Sequence, residues 1–148
     1  MIGLLQRVSH ASVEVDGRCV AQIERGLLVL VGVQRGDDIG KAARMLERLL
    51  GYRVFEDEKG RMNRSLRDLG PDVGGLLLVP QFTLAADTRS GTRPSFTSAA
   101  APDDAQAIYE NLVSAAKSAW SGTQSGVFGA DMQVSLLNSG PVTFWLET

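Results

Sequence analysis

The segment Asn138-Ser139-Gly140-Pro141-Val142-Thr143 lies between two strand-like runs, Met132–Leu136 and Val142–Leu146. Glycine at position 140 permits backbone angles that are closed to other residues. Proline at position 141 fixes its own φ angle, lacks an N–H group, and allows a cis peptide bond before it at low cost. One interpretation is an ordinary hairpin turn between two strands. The other is a rigid turn that presents two main-chain carbonyl oxygens to a ligand.

The first third of the chain predicts a series of strands. Ile2–Val8 and Ala11–Val15 are rich in β-forming residues, and Asp16-Gly17 is a strong signal for a tight turn. Cys19–Ile23 is then the return strand of a hairpin. The apolar run Leu27–Val33, which follows Gly26, is typical of a strand buried on both faces.

Two amphipathic helices are predicted. Asp37 or Asp38 is suited to cap the first, which has apolar residues at a 3.6-residue period and ends at Gly51. Pro102-Asp103-Asp104 opens the second, with a proline and acidic residues in the first turn. The other predicted strands are Tyr52–Phe55, Leu76–Phe82, Thr123–Phe128, Ala130–Leu137 and Val142–Glu147. Strands and helices that are grouped rather than regularly alternating favour one α+β domain, residues 1–148, with a curved or barrel-like sheet and two main helices.

Composition narrows the class of protein. The chain has 148 residues, is 44% hydrophobic and 22% charged, and carries a net charge of −2, which suits one globular domain. The longest apolar runs are strand-length, so no membrane span is predicted. The amino-terminal segment lacks the layout of a signal peptide, and we expect a cytoplasmic protein. The negative net charge argues against a protein that binds nucleic acid non-specifically over a large surface, although Arg89 and Arg93 could form a local basic patch.

The chain offers few groups for metal or acid–base chemistry. His10 is the only histidine and Cys19 the only cysteine, which excludes a multi-histidine metal centre and an internal disulfide. His10 would have to be the base of any Ser-His-Asp triad, but we expect it on the surface. No metal and no cofactor are predicted. Chemistry is left to backbone groups, hydroxyls, amides or the substrate.

A second candidate segment is Pro80-Gln81-Phe82-Thr83, where a buried-type strand runs into the long segment Ala85–Ala101. The Gln81 amide could orient a polar substrate, and Thr83 offers a hydroxyl. Consecutive N–H groups of Phe82 and Thr83 could stabilise an oxyanion. The alternative is a simple strand end at which Thr83 caps a turn.

Five motifs in order resemble the D-aminoacyl-tRNA deacylase family, over essentially the whole chain. They are Leu5-Gln6-Arg7-Val8 with Ala11-Ser12-Val13, Gln81-Phe82-Thr83-Leu84, Arg93-Pro94-Ser95-Phe96, Asp131-Met132-Gln133-Val134 and Gly140-Pro141-Val142-Thr143. The resemblance implies a homodimer with active sites at the subunit interface. It also implies hydrolysis of the ester that joins a D-amino acid to the 3′-terminal adenosine of tRNA, with no cofactor.

The resemblance also implies roles for individual residues. A cis Gly140–Pro141 turn would enter the partner's site, bind the α-amino group through its carbonyl oxygens and exclude an L side chain. Glycyl-tRNA, including glycine mischarged on tRNA-Ala, would escape this exclusion. Gln81, Phe82 and Thr83 would line the catalytic pocket, and Arg7 would brace the turn. Phe96 and Met132 would frame the adenosine end.

One position departs from the family pattern, because Pro80 stands where the motif commonly begins with serine. No role for a serine is therefore assigned. Two other functions are compatible with the sequence. One is a small-ester or amide hydrolase with Thr83 as nucleophile, and the other is a non-enzymatic module that binds a protein through an edge strand and the segment Ala85–Ala101.

Overall fold

The computed structural model describes all of residues 1–148, and its α+β fold is built on a mixed, nearly closed, barrel-like sheet. The strands are β1 (Ile2–Val15), β2 (Arg18–Ile23), β3 (Gly26–Gly32), β4 (Phe55–Glu56), β5 (Met62–Arg64), β6 (Gly75–Pro80), β7 (Thr123–Ser125) and β8 (Gln133–Glu147). The helices are α1 (Ile39–Gly51), α2 (Leu66–Leu69) and α3 (Pro102–Ala119), and Phe82–Ala85 forms a short 3-10 turn. None of the helices has the length and apolar character needed to cross a bilayer.

Strand β1 is the centre of the sheet. On one edge its first half pairs with β3 and its second half with β2, and on the other edge it pairs with β8 along nearly its whole length. The sheet continues from β3 through parallel β6 to parallel β7, while β4 and β5 form a separate two-stranded ladder. The central parallel strands β3 and β6 are apolar along nearly their whole length because helices cover one of their faces and the curved sheet encloses the other.

Two apolar clusters fill the two faces of the sheet. The larger joins α1 and α3 to β1, β3 and β6, with Leu5, Met45, Leu76 and Leu112 completely buried. The smaller lies on the other face and includes Val13, which is also fully buried. Burying an aliphatic side chain contributes about 1.5–3 kcal/mol, so these clusters dominate the stability of the sheet on which the site is built.

Several local predictions are confirmed. The turn after β1 has Asp16 at φ +50° and Gly17 at φ +72°, the left-handed pair that a two-residue hairpin requires. Asp38 caps α1, its carboxylate accepting the N–H of Lys41 at 2.8 Å. Helix α3 begins at Pro102, with acidic residues in its first turn.

Other predicted boundaries are wrong. The two strands expected within residues 2–15 are one strand, since β8 pairs across the polar residues that interrupt the apolar pattern. Tyr52 lies before β4, which begins only at Phe55. Strand β6 ends at Pro80, and Phe82 belongs to the 3-10 turn.

The hairpin interpretation of the Gly140–Pro141 segment is also wrong, because the chain does not reverse there. Asn138 pairs with Val8, and Thr143 pairs with Gln6, so both halves of β8 run antiparallel to β1. Between these pairs, the four residues of β8 face only Arg7 on β1. We call the segment Ser139–Val142 the Gly–Pro bulge.

Candidate active site

An apolar groove of about 650 Å³ opens at the carboxyl end of β6. Its lining includes the rings of Phe82, Phe96 and Phe128 and the side chain of Met132. Asp131 is the single charged residue that lines it. A concave, mostly apolar groove with a few polar groups is the usual form of a small-molecule site.

Two aromatic rings form an exposed pair at the groove. The ring centroids of Phe82 and Phe96 are 5.1 Å apart, with planes tilted by 49°. Phe82 is 61% exposed and Phe96 is 42% exposed. Large apolar rings left in water at a groove are available to stack on a planar ligand such as a nucleobase.

The polar end of the groove lies where β6 becomes the 3-10 turn. The Gln81 amide Nε2 donates to Thr83 Oγ1 at 2.5 Å, and the Gln81 N–H donates to the Val31 carbonyl at 2.8 Å. The N–H groups of Phe82 and Thr83 are the first of the 3-10 turn and have no partner within it. Two adjacent main-chain donors are therefore free beside the groove.

Pro80 fits the end of β6 without loss of a ladder bond. Gln81 faces β3 and bonds Val31, so the nitrogen of its neighbour Pro80 faces the opposite side. Strand β7 pairs with β6 only as far as Leu78 and Ser125, so no β7 partner lies opposite Pro80. Proline is tolerated at such an edge position because the N–H group that it lacks has no acceptor there.

The guanidinium of Arg7, the β1 residue opposite the Gly–Pro bulge, holds the bulge in place. Its Nε donates to the Ser139 carbonyl at 2.9 Å, and its Nη1 donates to the Val54 carbonyl at 2.7 Å. The arginine is only 9% exposed. A planar guanidinium directs its donors in fixed directions, so Arg7 fixes the bulge relative to the segment before β4.

A second side chain holds the bulge from its two ends. Asn138 Oδ1 accepts the N–H of Val142 at 2.7 Å, and Asn138 Nδ2 donates to Thr143 Oγ1 at 2.9 Å. The peptide bond between Gly140 and Pro141 is cis, and Gly140 has φ +129°. A Cβ atom at Gly140 would lie 2.7 Å from Arg7 Nη2. Only glycine is compatible with this backbone and this neighbour.

The bulge and the groove are separate features of one chain. Gly140 and Pro141 are exposed and do not line the groove. Arg7 and Ser139 instead line a depression of about 210 Å³, together with Arg25 and Glu56. The Arg7–Glu56 contact is loose, with 3.9 Å between Nη2 and Oε1.

Buried Tyr109 contacts Phe128, one of the aromatic residues that line the groove, and itself lines a separate depression of about 600 Å³. Its hydroxyl donates to the Leu78 carbonyl at 2.9 Å, and its ring lies 6.0 Å from that of Phe128. Burial raises the pKa of Tyr109 far above its ordinary value. The hydroxyl therefore stays neutral and acts as a structural donor rather than an acid or base.

Comparison with known proteins decides the family. Residues 4–147 match the model of the D-Tyr-tRNA(Tyr) deacylase family. The chain belongs to this deacylase family. A D-aminoacyl-tRNA deacylase of Thioalkalivibrio sulfidiphilus is 63% identical over 99% of this chain and 97% of the relative. One of Stutzerimonas stutzeri is 60% identical over the full length of both.

A solved structure supports the same fold. That of a c-Myc DNA unwinding element binding protein matches with a TM-score of 0.92 and 35% identity, covering 100% of this chain and 99% of that chain. As a member of the deacylase family, the chain is a hydrolase of ester bonds.

In this member of the deacylase family, the fold brings together some of the predicted site residues. Gln81, Phe82, Phe96 and Met132 line one groove, and Thr83 is joined to it through Gln81. The remaining predicted residues, Arg7, Gly140 and Pro141, belong to the separate bulge.

Sequence reasoning included Asn138 in the Gly-Pro segment but gave it no role, and it missed Val54 and Phe128 as parts of these two features. An asparagine two residues before a Gly-Pro pair is a signal that could have indicated the brace, since short amide side chains commonly bond nearby backbone. The contact of Val54 with Arg7 has no local signal.

Proposed function

We propose that this protein hydrolyses the ester bond between a D-amino acid and the 3′-terminal adenosine of tRNA, and that it rejects L-aminoacyl-tRNA. The observation that carries the proposal is the junction of an aromatic groove with the free N–H groups of Phe82 and Thr83. Family membership supports the substrate class, since the relatives described above are named D-aminoacyl-tRNA deacylases.

The groove is suited to the adenosine end of the substrate. Its volume of about 650 Å³ is in the usual range for a small-molecule site. The exposed rings of Phe82 and Phe96 can stack on a base, and Met132 can fill the space beside it. The amide of Gln81 then lies at the reacting end, next to the hydroxyl of Thr83.

In the proposed reaction, water attacks the ester carbonyl and forms a tetrahedral oxyanion. The N–H groups of Phe82 and Thr83 stabilise this charge as it develops. Collapse breaks the bond to the ribose 3′-oxygen, which leaves with a proton, and releases the free amino acid. The ester is already activated, so positioning and oxyanion stabilisation supply the required lowering of the barrier.

The attacking water needs a proton acceptor, and the substrate supplies it in this proposal. The hydroxyl of Thr83 contacts the Gln81 amide, which is not a base. His10 is exposed on β1 and does not line the groove. We therefore assign the assisting role to the ribose 2′-hydroxyl, which takes a proton from the attacking water as it passes its own proton to the departing 3′-oxygen. The carboxylate of Asp131 lines the groove but does not contact Thr83, whose hydroxyl bonds the Gln81 amide. This pairing disfavours a threonine nucleophile.

The proposal places the Gly–Pro bulge in the site of a second copy of the chain. Its support is that the bulge is exposed and braced yet lies outside the groove of its own chain. A further support is β8, which pairs with β1 along one edge only and exposes Leu137 and Trp145 by 55% and 52%. A long edge strand with exposed apolar residues favours association.

Chiral selection follows from this arrangement. The carbonyl oxygens of Gly140 and Pro141 bind the α-amino group, and the main chain leaves no room for the side chain of an L-amino acid. Because the exclusion is steric, it can exceed the 1–3 kcal/mol of a missing methylene group. Glycine presents no side chain to exclude, so glycyl-tRNA, including tRNA-Ala mischarged with glycine, is also a substrate. We expect the enzyme to act in the cytoplasm.

Deacylation of matched D-tyrosyl-, L-tyrosyl- and glycyl-tRNA by the purified protein tests the proposal. We expect rapid release from the D-tyrosyl and glycyl substrates, with L-tyrosyl-tRNA retained. Equal hydrolysis of D- and L-tyrosyl-tRNA would falsify chiral selection. Hydrolysis of simple esters with a trapped covalent intermediate would instead support the threonine nucleophile.

A further inference from the structure

The exposed loop that leads to Phe96 carries two arginines and no acidic residue. All seven residues of Thr88–Pro94, which we call the arginine loop, are exposed. They include Arg89 and Arg93, in a chain whose net charge is −2. This concentration of positive charge beside an aromatic groove is the pattern of a nucleic-acid contact.

The arginine loop is anchored at its base. The backbones of Asp87 and Ser95 exchange hydrogen bonds of 2.7 and 3.0 Å. Beyond Ser95, the returning limb is fixed to the sheet, since the Arg35 N–H donates to the Ser98 carbonyl at 2.9 Å and the Ala100 N–H donates to the Val33 carbonyl at 3.1 Å. The loop therefore projects from a fixed base, and its returning limb reaches the groove at Phe96, while Thr88 and Arg89 line a separate depression of about 510 Å³.

The two arginines are not equivalent. Arg89 forms a two-point ion pair with Asp87, with Nη2 2.6 Å from Oδ2 and Nε 2.9 Å from Oδ1. This pair holds the pKa of Asp87 well below its usual range, so the aspartate stays charged and offsets Arg89. Arg93 has no ion pair, and its charge is available to a ligand.

The charges around the groove indicate where a polyanion can lie. Asp131 disfavours a phosphate within the groove itself. On the side of Phe128, a second depression of about 600 Å³ contains Lys117 with Glu110, whose charges cancel. The arginine loop, which joins the groove through Phe96, is the segment with an excess of positive charge.

We propose that the arginine loop binds the phosphates immediately before the terminal adenosine of the tRNA, with Arg93 as the main contact and Arg89 as the second. This inference rests on the proposed function, because it takes the groove as the site of that adenosine. Phe96 then joins the two contacts, since it lines the groove three residues after Arg93. Phosphate contacts of this kind fix the position of a nucleic acid without reading its sequence.

The test compares two substrates that share the reacting ester, D-tyrosyl-tRNA and 3′-O-D-tyrosyl-adenosine, which lacks the preceding phosphates. Arg93→Ala is expected to lower kcat/KM on the tRNA substrate roughly fivefold and to leave the adenosine substrate unchanged. Arg93→Lys keeps the charge and is expected to retain most of the activity. Arg67→Ala is the matched control, because exposed Arg67 lies on α2, which packs on Gly74 before β6, away from the groove at the other end of that strand.

Binding of uncharged tRNA at a series of salt concentrations gives a readout independent of hydrolysis. Each lost phosphate contact is expected to reduce the slope of log K against log salt by about 0.7, the value for a single strand. Equal loss on both substrates, or an unchanged salt slope in the Arg89→Ala/Arg93→Ala variant, would overturn the inference. An altered salt slope in the variants, with no hydrolysis of either substrate by the wild type, would support tRNA binding by the arginine loop and reject the proposed function.

Discussion

Arg7 donates a hydrogen bond of 2.9 Å from Nε to the carbonyl oxygen of Ser139, a residue 132 positions away in the sequence. The contact ties the middle of the first strand to the bulge in the last. Because the same guanidinium also bonds the Val54 carbonyl at 2.7 Å, three distant segments share one buried cation. The geometry of the bulge therefore depends on the whole fold rather than on the Gly-Pro pair alone.

Two substitutions of Arg7 distinguish the contribution of its positive charge from that of its planar, forked hydrogen bonds. Arg7→Ala leaves two carbonyl groups without their donor, and we expect a loss of about 2–4 kcal/mol in the free energy of unfolding. Arg7→Lys keeps the charge but cannot reproduce the planar fork. We therefore expect a free energy of unfolding between those of Arg7→Ala and wild type, and a reduced preference for D-tyrosyl-tRNA over L-tyrosyl-tRNA. Urea denaturation and deacylation of D- and L-tyrosyl-tRNA measure the two effects. Full D-selectivity in Arg7→Lys would contradict the bracing role.

We expect Gly140→Ala to lower D-tyrosyl-tRNA hydrolysis more than the same substitution at a glycine in an open turn. Its new methyl group would meet Arg7 Nη2 at 2.7 Å and Val142 Cγ2 at 2.9 Å, at a φ of +129°. Gly60→Ala is the control, because Gly60 also has positive φ, +72°, but has no neighbour within 4 Å. We expect the control to lose about 1 kcal/mol of stability and to keep its activity. Comparable losses of D-tyrosyl-tRNA hydrolysis in both variants would contradict the steric argument.

Asn138 should act as a positioning residue for the bulge. Asn138→Ala removes both of its hydrogen bonds, to the Val142 N–H and to Thr143 Oγ1. Asn138→Asp keeps an acceptor for Val142 but loses the amide donor to Thr143. We expect the ratio of D- to L-tyrosyl-tRNA hydrolysis to fall most in Asn138→Ala and less in Asn138→Asp. The exposed Asn63→Ala on β5 is the matched control, and an unchanged ratio in Asn138→Ala would count against the role.

The parts of the fold that were predicted from sequence are those with local causes. The cap at Asp38, the proline that opens α3 and the Asp16-Gly17 turn each act within a few residues. Their hydrogen bonds and backbone angles are set by neighbours in the chain, so the sequence pattern is sufficient.

The Gly–Pro bulge was not predicted as a bulge because its cause is not local. Its backbone signals are the same as those of a hairpin. What prevents the reversal is the pairing of Asn138 and Thr143 with Val8 and Gln6, residues more than a hundred positions away. The position of Phe82 in a 3-10 turn was missed for a related reason. The sequence around Gln81 is compatible with a strand or with a short helix, and the strand ends there because the bond from Gln81 to Val31 is the last of the ladder.

The stability of the protein should depend on Asp37 at acid pH. Burial alone would raise the pKa of Asp37, but hydrogen bonds from the Met1 ammonium, the Gln34 N–H and Lys41 outweigh it and lower the pKa below 3.8. A group with a lowered folded pKa stabilises the fold above its unfolded pKa, and this contribution is lost as the pH falls through the folded value.

We therefore expect Asp37→Asn to reduce the free energy of unfolding by about 2–4 kcal/mol near neutral pH, since it leaves a buried ammonium without its anion. The difference from wild type should shrink below about pH 4. Thermal or urea unfolding at pH 7, 5 and 3 measures it. Asp38→Asn is the control, because asparagine also caps a helix, and a difference for Asp37→Asn that is constant with pH would refute the ionic explanation.

The hydroxyl of Thr83 accepts a hydrogen bond of 2.5 Å from the Gln81 amide and contacts no base. If the ribose 2′-hydroxyl assists the water, Thr83→Ala should keep D-tyrosyl-tRNA hydrolysis within about tenfold of wild type, because only a secondary hydrogen bond is lost. A substrate with a 2′-deoxy terminal adenosine should lose far more activity with the wild-type enzyme. Thr83→Val, which keeps the branched shape, controls for packing. Near-complete loss in both variants with full activity on the deoxy substrate would instead assign the proton transfer to threonine.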